Sequence, residues 1–285
     1  MSSLLKLGSA VFGSSITSLA LFQKQSFANS DCGPPSYFSQ CNPPPCSPPP
    51  QCPPPPCNPP PPRCNDLVSP ADEPWAWNWD GRQNHPMRQG TRNIFFIRDA
   101  HHDLEGRITQ LTEKGMQQSQ MLGRFLAKFA TKEFNLCNMD VRCYHSGVLR
   151  AEQTCYEAMK AGLNLNMMME CRLAEGCPMY PNPRFPNYNP CSQDVQTCRN
   201  RLNSFVKERM HRSDCDMDTF ELYFCHANVA RFLTLKLLQM PLSAWSRLLI
   251  GHCGITWLKI HPDGRVRCMT FGDTGFFDKM CYVTS

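Results

Sequence analysis

From about Arg92 onward the sequence predicts an α/β domain, a three-layer fold with a mostly parallel central sheet flanked by helices and preceded by a disordered tail. Three observations carry this. Apolar strands alternate with stretches of helical periodicity. The first strand, Ile94-Phe95-Phe96-Ile97, is apolar on both faces, as a strand buried between two layers must be. Residues 31–65 have almost none of the apolar side chains from which a core is built.

The elements follow in order. Ile94 to Ile97 is a strand that ends at Arg98. A helix starts near Thr112, with Leu122, Phe125, Leu126 and Phe129 on one face. Met139 to Tyr144 reads as a second strand, and Val148 to Ala161 as a helix closed by Gly162. Val195, Cys198, Leu202, Phe205 and Val206 recur at a 3.6-residue period, after Ser192 and Asp194 as capping candidates. Glu221 to Cys225 is a strand that meets His226, and Val229 to Gln239 an apolar helix stopped by Pro241. Gly254 to Ile260 and Arg265 to Phe271 form a hairpin across Pro262-Asp263-Gly264.

Composition divides the 285 residues into four parts: 1–30, 31–65, 66–90 and 91–285. Residues 1–30 contain no acid and only Lys6 and Lys24 as bases, the pattern of a targeting or membrane-anchor segment. The uncharged run from Leu7 to Gln23 is short for a bilayer span of ~20 residues and is diluted by Ser and Gly. A Ser-rich, acid-free leader fits a mitochondrial address, whereas Ser26-Phe27-Ala28 resembles a secretory cleavage site, so secretion stands as the alternative. Residues 31–65 hold Cys32, Cys41, Cys46, Cys52, Cys57 and Cys64 among prolines, a linker that favours polyproline II over a packed core. Intermolecular disulfides are read there in preference to zinc, and no metal or cofactor is expected anywhere. The other twelve of the eighteen cysteines, Cys225 and Cys268 among them, read as core filling. A formal net charge of +5, with bases scattered among acids, argues against nucleic acid as a partner.

Two strand ends deliver charged groups: Arg98 and Asp99 after the first strand, His226 after the later one. Ligands of open α/β sheets bind at the carboxyl ends of the strands. The helix after His226 presents unpaired amides near Ala227 and Asn228, and its positive end suits a phosphate. Ser146-Gly147-Val148-Leu149-Arg150 brings another strand end into a helix, so that Arg98 and Arg150 are placed to grip phosphate oxygens in a bidentate fork.

Five segments then carry a resemblance: Ile97-Arg98-Asp99-Ala100, Leu111-Thr112-Glu113-Lys114-Gly115, Ser146 to Thr154, Phe224-Cys225-His226-Ala227-Asn228-Val229, and Gly272-Asp273-Thr274-Gly275. In this order over about residues 75 to 285, the chain resembles the phosphoglycerate mutase family member five group, mitochondrial protein serine/threonine phosphatases of the histidine phosphatase superfamily. The resemblance implies a phosphoglycerate-mutase-like fold, phosphorylated proteins as partners, and a mitochondrial location, with the outer membrane as the site. It also implies that Arg98 and Arg150 hold phosphate, that His226 is the second histidine of the pocket, and that Glu175 is a candidate proton donor.

One departure bears on the chemistry. The family's first strand ends in Arg-His-Gly and here it ends in Arg98-Asp99-Ala100, so the imidazole that would become phosphohistidine is missing. An ionised Asp99 would repel a phosphate by ~4 kcal/mol per unit charge at ~4 Å, and its pairing with Arg98 or Arg150 would occupy the grip. Acyl-phosphate chemistry at aspartate relies on magnesium held by further carboxylates, and Asp99-Ala100-His101 has none at the expected step. The expectation is therefore a pseudophosphatase that acts by binding phosphoproteins or other partners. Two alternatives remain: an active phosphatase that uses Asp99 or a neighbour among His101 and His102, and a structural protein cross-linked through its cysteines. Within residues 66–90, Trp75, Trp77, Asn78, Trp79 and Asp80 are similar to the family's multimerisation motif, with Ala76 where the family has Asp. Self-association is expected from them, against the plainer reading that the tryptophans pack back onto their own domain.

Overall fold

The computed structural model describes residues 74–103, 109–184 and 188–277. The leader at 1–30, the Pro/Cys tract at 31–65 and the start of the 66–90 segment lie outside the described residues.

Six strands form one sheet in the order β3-β2-β4-β1-β5-β6. They are β1 (Arg92–Arg98), β2 (Asp140–His145), β3 (Met167–Met169), β4 (Thr219–Cys225), β5 (Ile255–Ile260) and β6 (Val266–Asp273). β3, β2, β4 and β1 run parallel, β5 lies antiparallel to β1, and β6 returns antiparallel to β5. The expected mostly parallel sheet between helices is thus present. β1 is buried along all seven residues, as its apolar run requires.

Side chains alternate across the sheet and meet a different helix pair on each face. Phe95 and Ile97 pack with Leu122 and Leu126 of α1 (Glu113–Glu133) and Ala158 of α2 (Leu149–Ala161). Ile94 and Phe96 pack with Leu202 and Phe205 of α3 (Ser192–Arg209) and Val229 and Phe232 of α4 (Ala227–Leu237). Phe95 is the aromatic hub of the first face, stacked on Trp257 at 5.5 Å between ring centres and meeting Phe129 edge-on at 6.1 Å. Truncating so enclosed a ring to alanine costs about 3–5 kcal/mol.

At the amino-terminal end of the sheet, Arg92 of β1 and Glu221 of β4 form a buried bidentate pair, with both N–O distances at 2.7 Å. Arg92 also donates to the carbonyls of Arg209 and His211, while the Tyr223 hydroxyl donates to Glu221. Every polar atom of the pair is therefore matched, the condition under which two buried charges persist.

Several expectations need correction. The α3 cap is Cys191, without a side-chain hydrogen bond, and Ser192 and Asp194 lie inside the helix. α4 begins at Ala227 and ends at Leu237, because Gln239 takes a φ of 55° before Pro241. β3 was not foreseen, since three methionines carry no β-branched signal. The cysteines are not uniformly core: Cys225 is buried, but Cys268, Cys137, Cys171 and Cys191 are exposed. By contrast Thr112 caps α1 as expected, accepting from the Gly115 amide. Gly115 must be glycine, because a Cβ there would lie 1.9 Å from the His101 carbonyl oxygen.

Candidate active site

The carboxyl ends of β1, β4 and β2 stand side by side, with Arg98 opposite Cys225 and His145 opposite Phe224. The ladder continues one residue further, since Asp99 N–H donates to the Cys225 carbonyl at 2.9 Å and Ser146 N–H to the Phe224 carbonyl at 3.0 Å. Asp99, Ser146 and His226 are therefore delivered to one place by the sheet itself. Gly147 turns the chain from β2 into α2 at a φ of 77°, a left-handed value that favours glycine, and this sets Arg150 over the sheet end.

Asp99 is the centre of the cluster and is 2% exposed. Arg150 Nε donates to its Oδ2 at 2.6 Å. His226 Nδ1 lies 3.4 Å from Oδ1, and His102 Nδ1 lies 3.4 Å from Oδ2. Burial alone would raise the Asp99 pKa; His226, Arg150 and Arg98 outweigh it and hold the carboxyl down at about 2. Asp99 is thus an anion at neutral pH.

The remaining nitrogens of Arg150 are also engaged, Nη1 on Thr109 Oγ1 at 2.9 Å and Nη2 on the Glu175 carboxylate. Glu175 stands at the rim, its side chain 45% exposed and Oε2 3.9 Å from His226 Nδ1. Ser146 Oγ sits 2.9 Å from His226 Nε2. The Asp99 charge favours the proton on Nδ1, which leaves Nε2 to accept from the Ser146 hydroxyl. Arg98 points the other way, with Nη1 donating to the Ile250 carbonyl at 2.7 Å and Nη2 3.1 Å from His252 Nε2. Asn228 Nδ2 donates to the Gly176 carbonyl at 3.3 Å.

The structure therefore brings Asp99, Arg150, Glu175 and His226 into one cluster, with Arg98, Glu175 and Asn228 lining the cleft beside it. His102 approaches Asp99, but its Nδ1 is also 3.0 Å from the Ala100 carbonyl, and His101 is turned to Thr112 with Nδ1 2.8 Å from Oγ1. Ala100 is fully buried, its amide donating to Thr154 Oγ1 at 3.0 Å. Among the described residues no group of three or more His, Cys, Asp or Glu side chains is placed to hold a metal.

No family model matches the chain. Mouse serine/threonine-protein phosphatase PGAM5, mitochondrial, is 32% identical over 200 residues, which cover 68% of this chain and 67% of that protein. This chain belongs to the PGAM5 family. The human protein of the same name is 29% identical over 235 residues, 73% of this chain and 79% of that one. The Caenorhabditis elegans protein is 32% identical over 188 residues, 65% and 64% of the two chains. A solved phosphoglycerate mutase from Plasmodium falciparum is 24% identical, covers 64% of this chain and 91% of that one, and superposes with a TM-score of 0.45. The mostly parallel α/β sheet flanked by helices that the sequence predicts is the fold of this PGAM5-family domain.

Some residues of the cluster escaped the sequence. Thr109 and His252 sit in connecting segments without periodicity, and nothing in the chain order links either to a strand end. Arg231 was legible in principle, because it falls three residues after Asn228 on α4, the spacing that puts two side chains on one helix face.

The tryptophan segment folds against its own domain. Trp75 and Trp79 are partly buried against the α3–α4 core, and Trp79 Nε1 donates to the Gly264 carbonyl at 2.7 Å. Asp80 is paired with Arg212 through Oδ1 at 2.7 Å and Oδ2 at 3.0 Å, while Trp77 remains 53% exposed. Asn78 Oδ1 accepts from the Gln83 amide at 2.9 Å.

Proposed function

We propose that this PGAM5-family domain recognises phosphorylated proteins in the mitochondrion and acts by binding, with turnover slow or absent. The observation that carries this reading is the 2.6 Å contact between Asp99 and Arg150. A carboxylate occupies the place of the attacking imidazole and neutralises the arginine that would receive the phosphoryl oxygens. A phosphate dianion entering the cluster has to displace that pairing or share it with a like charge.

Hydrolysis of a phosphoserine peptide by the full chain, measured beside Asp99→His with Ala100→Gly, tests the proposal. The expected result is turnover by the double variant at least ~100-fold above the unaltered chain, the scale on which a nucleophile and its positioning act. Comparable rates would end the binding-only reading.

The relatives named as serine/threonine phosphatases favour a second reading, an active enzyme in which Asp99 or His102 takes the nucleophile's part. The 3.4 Å approach of His102 to Asp99 is the geometric support for it. The same assay separates the two.

The relatives' names place those proteins in mitochondria, and the acid-free leader agrees with such an address. We assign the outer membrane as the site on the resemblance, with residues 1–30 as the anchor. Self-association through the segment carrying Trp77 belongs to the same proposal, Trp77 being its exposed ring. Among the described residues no helix is long and apolar enough to cross a membrane.

A further inference from the structure

A cleft of about 730 Å³ opens beside the cluster, lined among others by Arg98, Glu175, Tyr188, Asn228, Arg231 and Trp245. A volume of that order accepts a phosphorylated side chain with some flanking main chain. The question is which cation in it is available to an anion.

Arg150 is not. Its three nitrogens are matched by Asp99, Thr109 and Glu175, two carboxylates and a hydroxyl. Arg231 is placed differently. Its Nη1 donates to Asn228 Oδ1 at 3.2 Å, its buried Nε has no hydrogen-bond partner, and among the described residues no carboxylate pairs with it. Arg231 and Arg98 both line this cleft, two like charges that repel in a partly desolvated space. Burial, and after it the Arg98 charge, pull the Arg231 pKa below the ordinary arginine value. An anion paired with the Arg231 guanidinium would relieve that repulsion, with Arg98, held by the Ile250 carbonyl and His252, contributing its charge. The first turn of α4 contributes there as well, because Ala227 and Asn228 lie at the cleft with the amides that a helix start leaves unpaired.

We infer that Arg231, with Arg98 and Asn228, is the anion subsite of this cleft and grips the phosphate monoester of a bound phosphoprotein there, displaced from Arg150. This rests on the phosphoprotein-binding reading above. The displacement follows from Asp99: once the carboxylate holds Arg150, the positive potential of the cleft shifts along α4 by the distance from His226 to Arg231, about one and a half turns. Tyr188, an exposed ring lining the same cleft, offers a surface for the peptide beside the phosphoresidue.

The test is calorimetric titration of the full chain with inorganic phosphate and with a phosphoserine peptide, for the unaltered protein, Arg231→Gln and Arg231→Lys. Phosphate affinity should fall about tenfold or more in Arg231→Gln, the worth of a charge-assisted hydrogen bond, and Arg231→Lys should recover part of it. Circular dichroism of each variant verifies that the domain is folded. The peptide should lose affinity in the same proportion as phosphate. Binding by Arg231→Gln within about twofold of the unaltered chain would overturn the inference, as would an unaltered chain that binds neither ligand. Should the unaltered chain instead hydrolyse the peptide, the binding-only reading fails, and the dependence of KM on Arg231 still decides the subsite.

Discussion

Arg150 Nε and Asp99 Oδ2 lie 2.6 Å apart, in a contact where both side chains are nine-tenths or more removed from solvent. This pair places a permanent negative charge at the end of β1 and occupies the arginine that the proposed phosphate grip would use. Breaking one partner of a buried pair destabilises, yet here Glu175 and Thr109 still hold Arg150. Asp99→Asn should therefore cost about 3 kcal/mol of stability at most, and should tighten inorganic phosphate binding about tenfold, the effect of removing a like charge roughly 10 Å from the bound anion. Urea denaturation and titration calorimetry read the two effects separately. Unchanged phosphate affinity would remove the electrostatic argument.

The same carboxyl makes stability depend on acid. Asp99 and Glu221 are each held down at about 2, burial opposing the shift and their partners overcoming it. A group whose folded pKa is depressed stabilises above its unfolded pKa, about 4, and that contribution is lost as pH falls through the folded value. Urea midpoints should thus be flat from about pH 7 to 5 as far as these two groups are concerned, and fall steeply between about pH 4 and 2. Asp99→Asn with Glu221→Gln should flatten the acid limb, and a limb of unchanged slope would assign acid sensitivity to other groups.

At the opposite end of the sheet, Arg92→Met leaves Glu221 buried and charged without its bidentate partner. A loss of about 3–5 kcal/mol is expected. Arg92→Met combined with Glu221→Leu should recover part of it, because no unpaired charge then remains, although the Tyr223 hydroxyl loses its acceptor. Chemical denaturation of the single and double variants checks the order, and a double variant worse than the single one contradicts it.

Arg212 holds the tryptophan segment through Asp80, whose carboxyl is lowered by Arg212 against the effect of burial. Asp80→Ala should release residues 74–82, costing about 1–2 kcal/mol. The released Trp75 and Trp79 should give a red-shifted emission and faster proteolysis before Arg92. Size-exclusion chromatography of the same variant tests whether the proposed self-association occurs and needs the docked or the free segment. An unchanged spectrum would show that Trp79 and its bond to Gly264 suffice to hold it.

How far the chain disclosed this arrangement depends on what each residue's role requires. Ile94 to Ile97 announced a buried central strand because a parallel sheet covered on both faces leaves no polar alternation, and Thr112 announced a helix start because its hydroxyl replaces a missing backbone partner. Arg98, Asp99, Ser146 and His226 were visible because strand ends bring them together. β3 was hidden by its methionines, which form a strand only because β2 offers an edge to pair with. His252 and Thr109 arrive from loops whose paths no periodicity encodes, and the inward turn of the tryptophan segment depends on Arg212, more than a hundred positions away.

The most direct test of the central claim is an intact-mass measurement on the full chain, quenched during incubation with a phosphoserine peptide. The unaltered protein should carry no covalent phosphate, whereas Asp99→His with Ala100→Gly should show an acid-labile adduct of one phosphoryl group. An adduct on the unaltered protein, mapped to Asp99 or His102, would contradict the account.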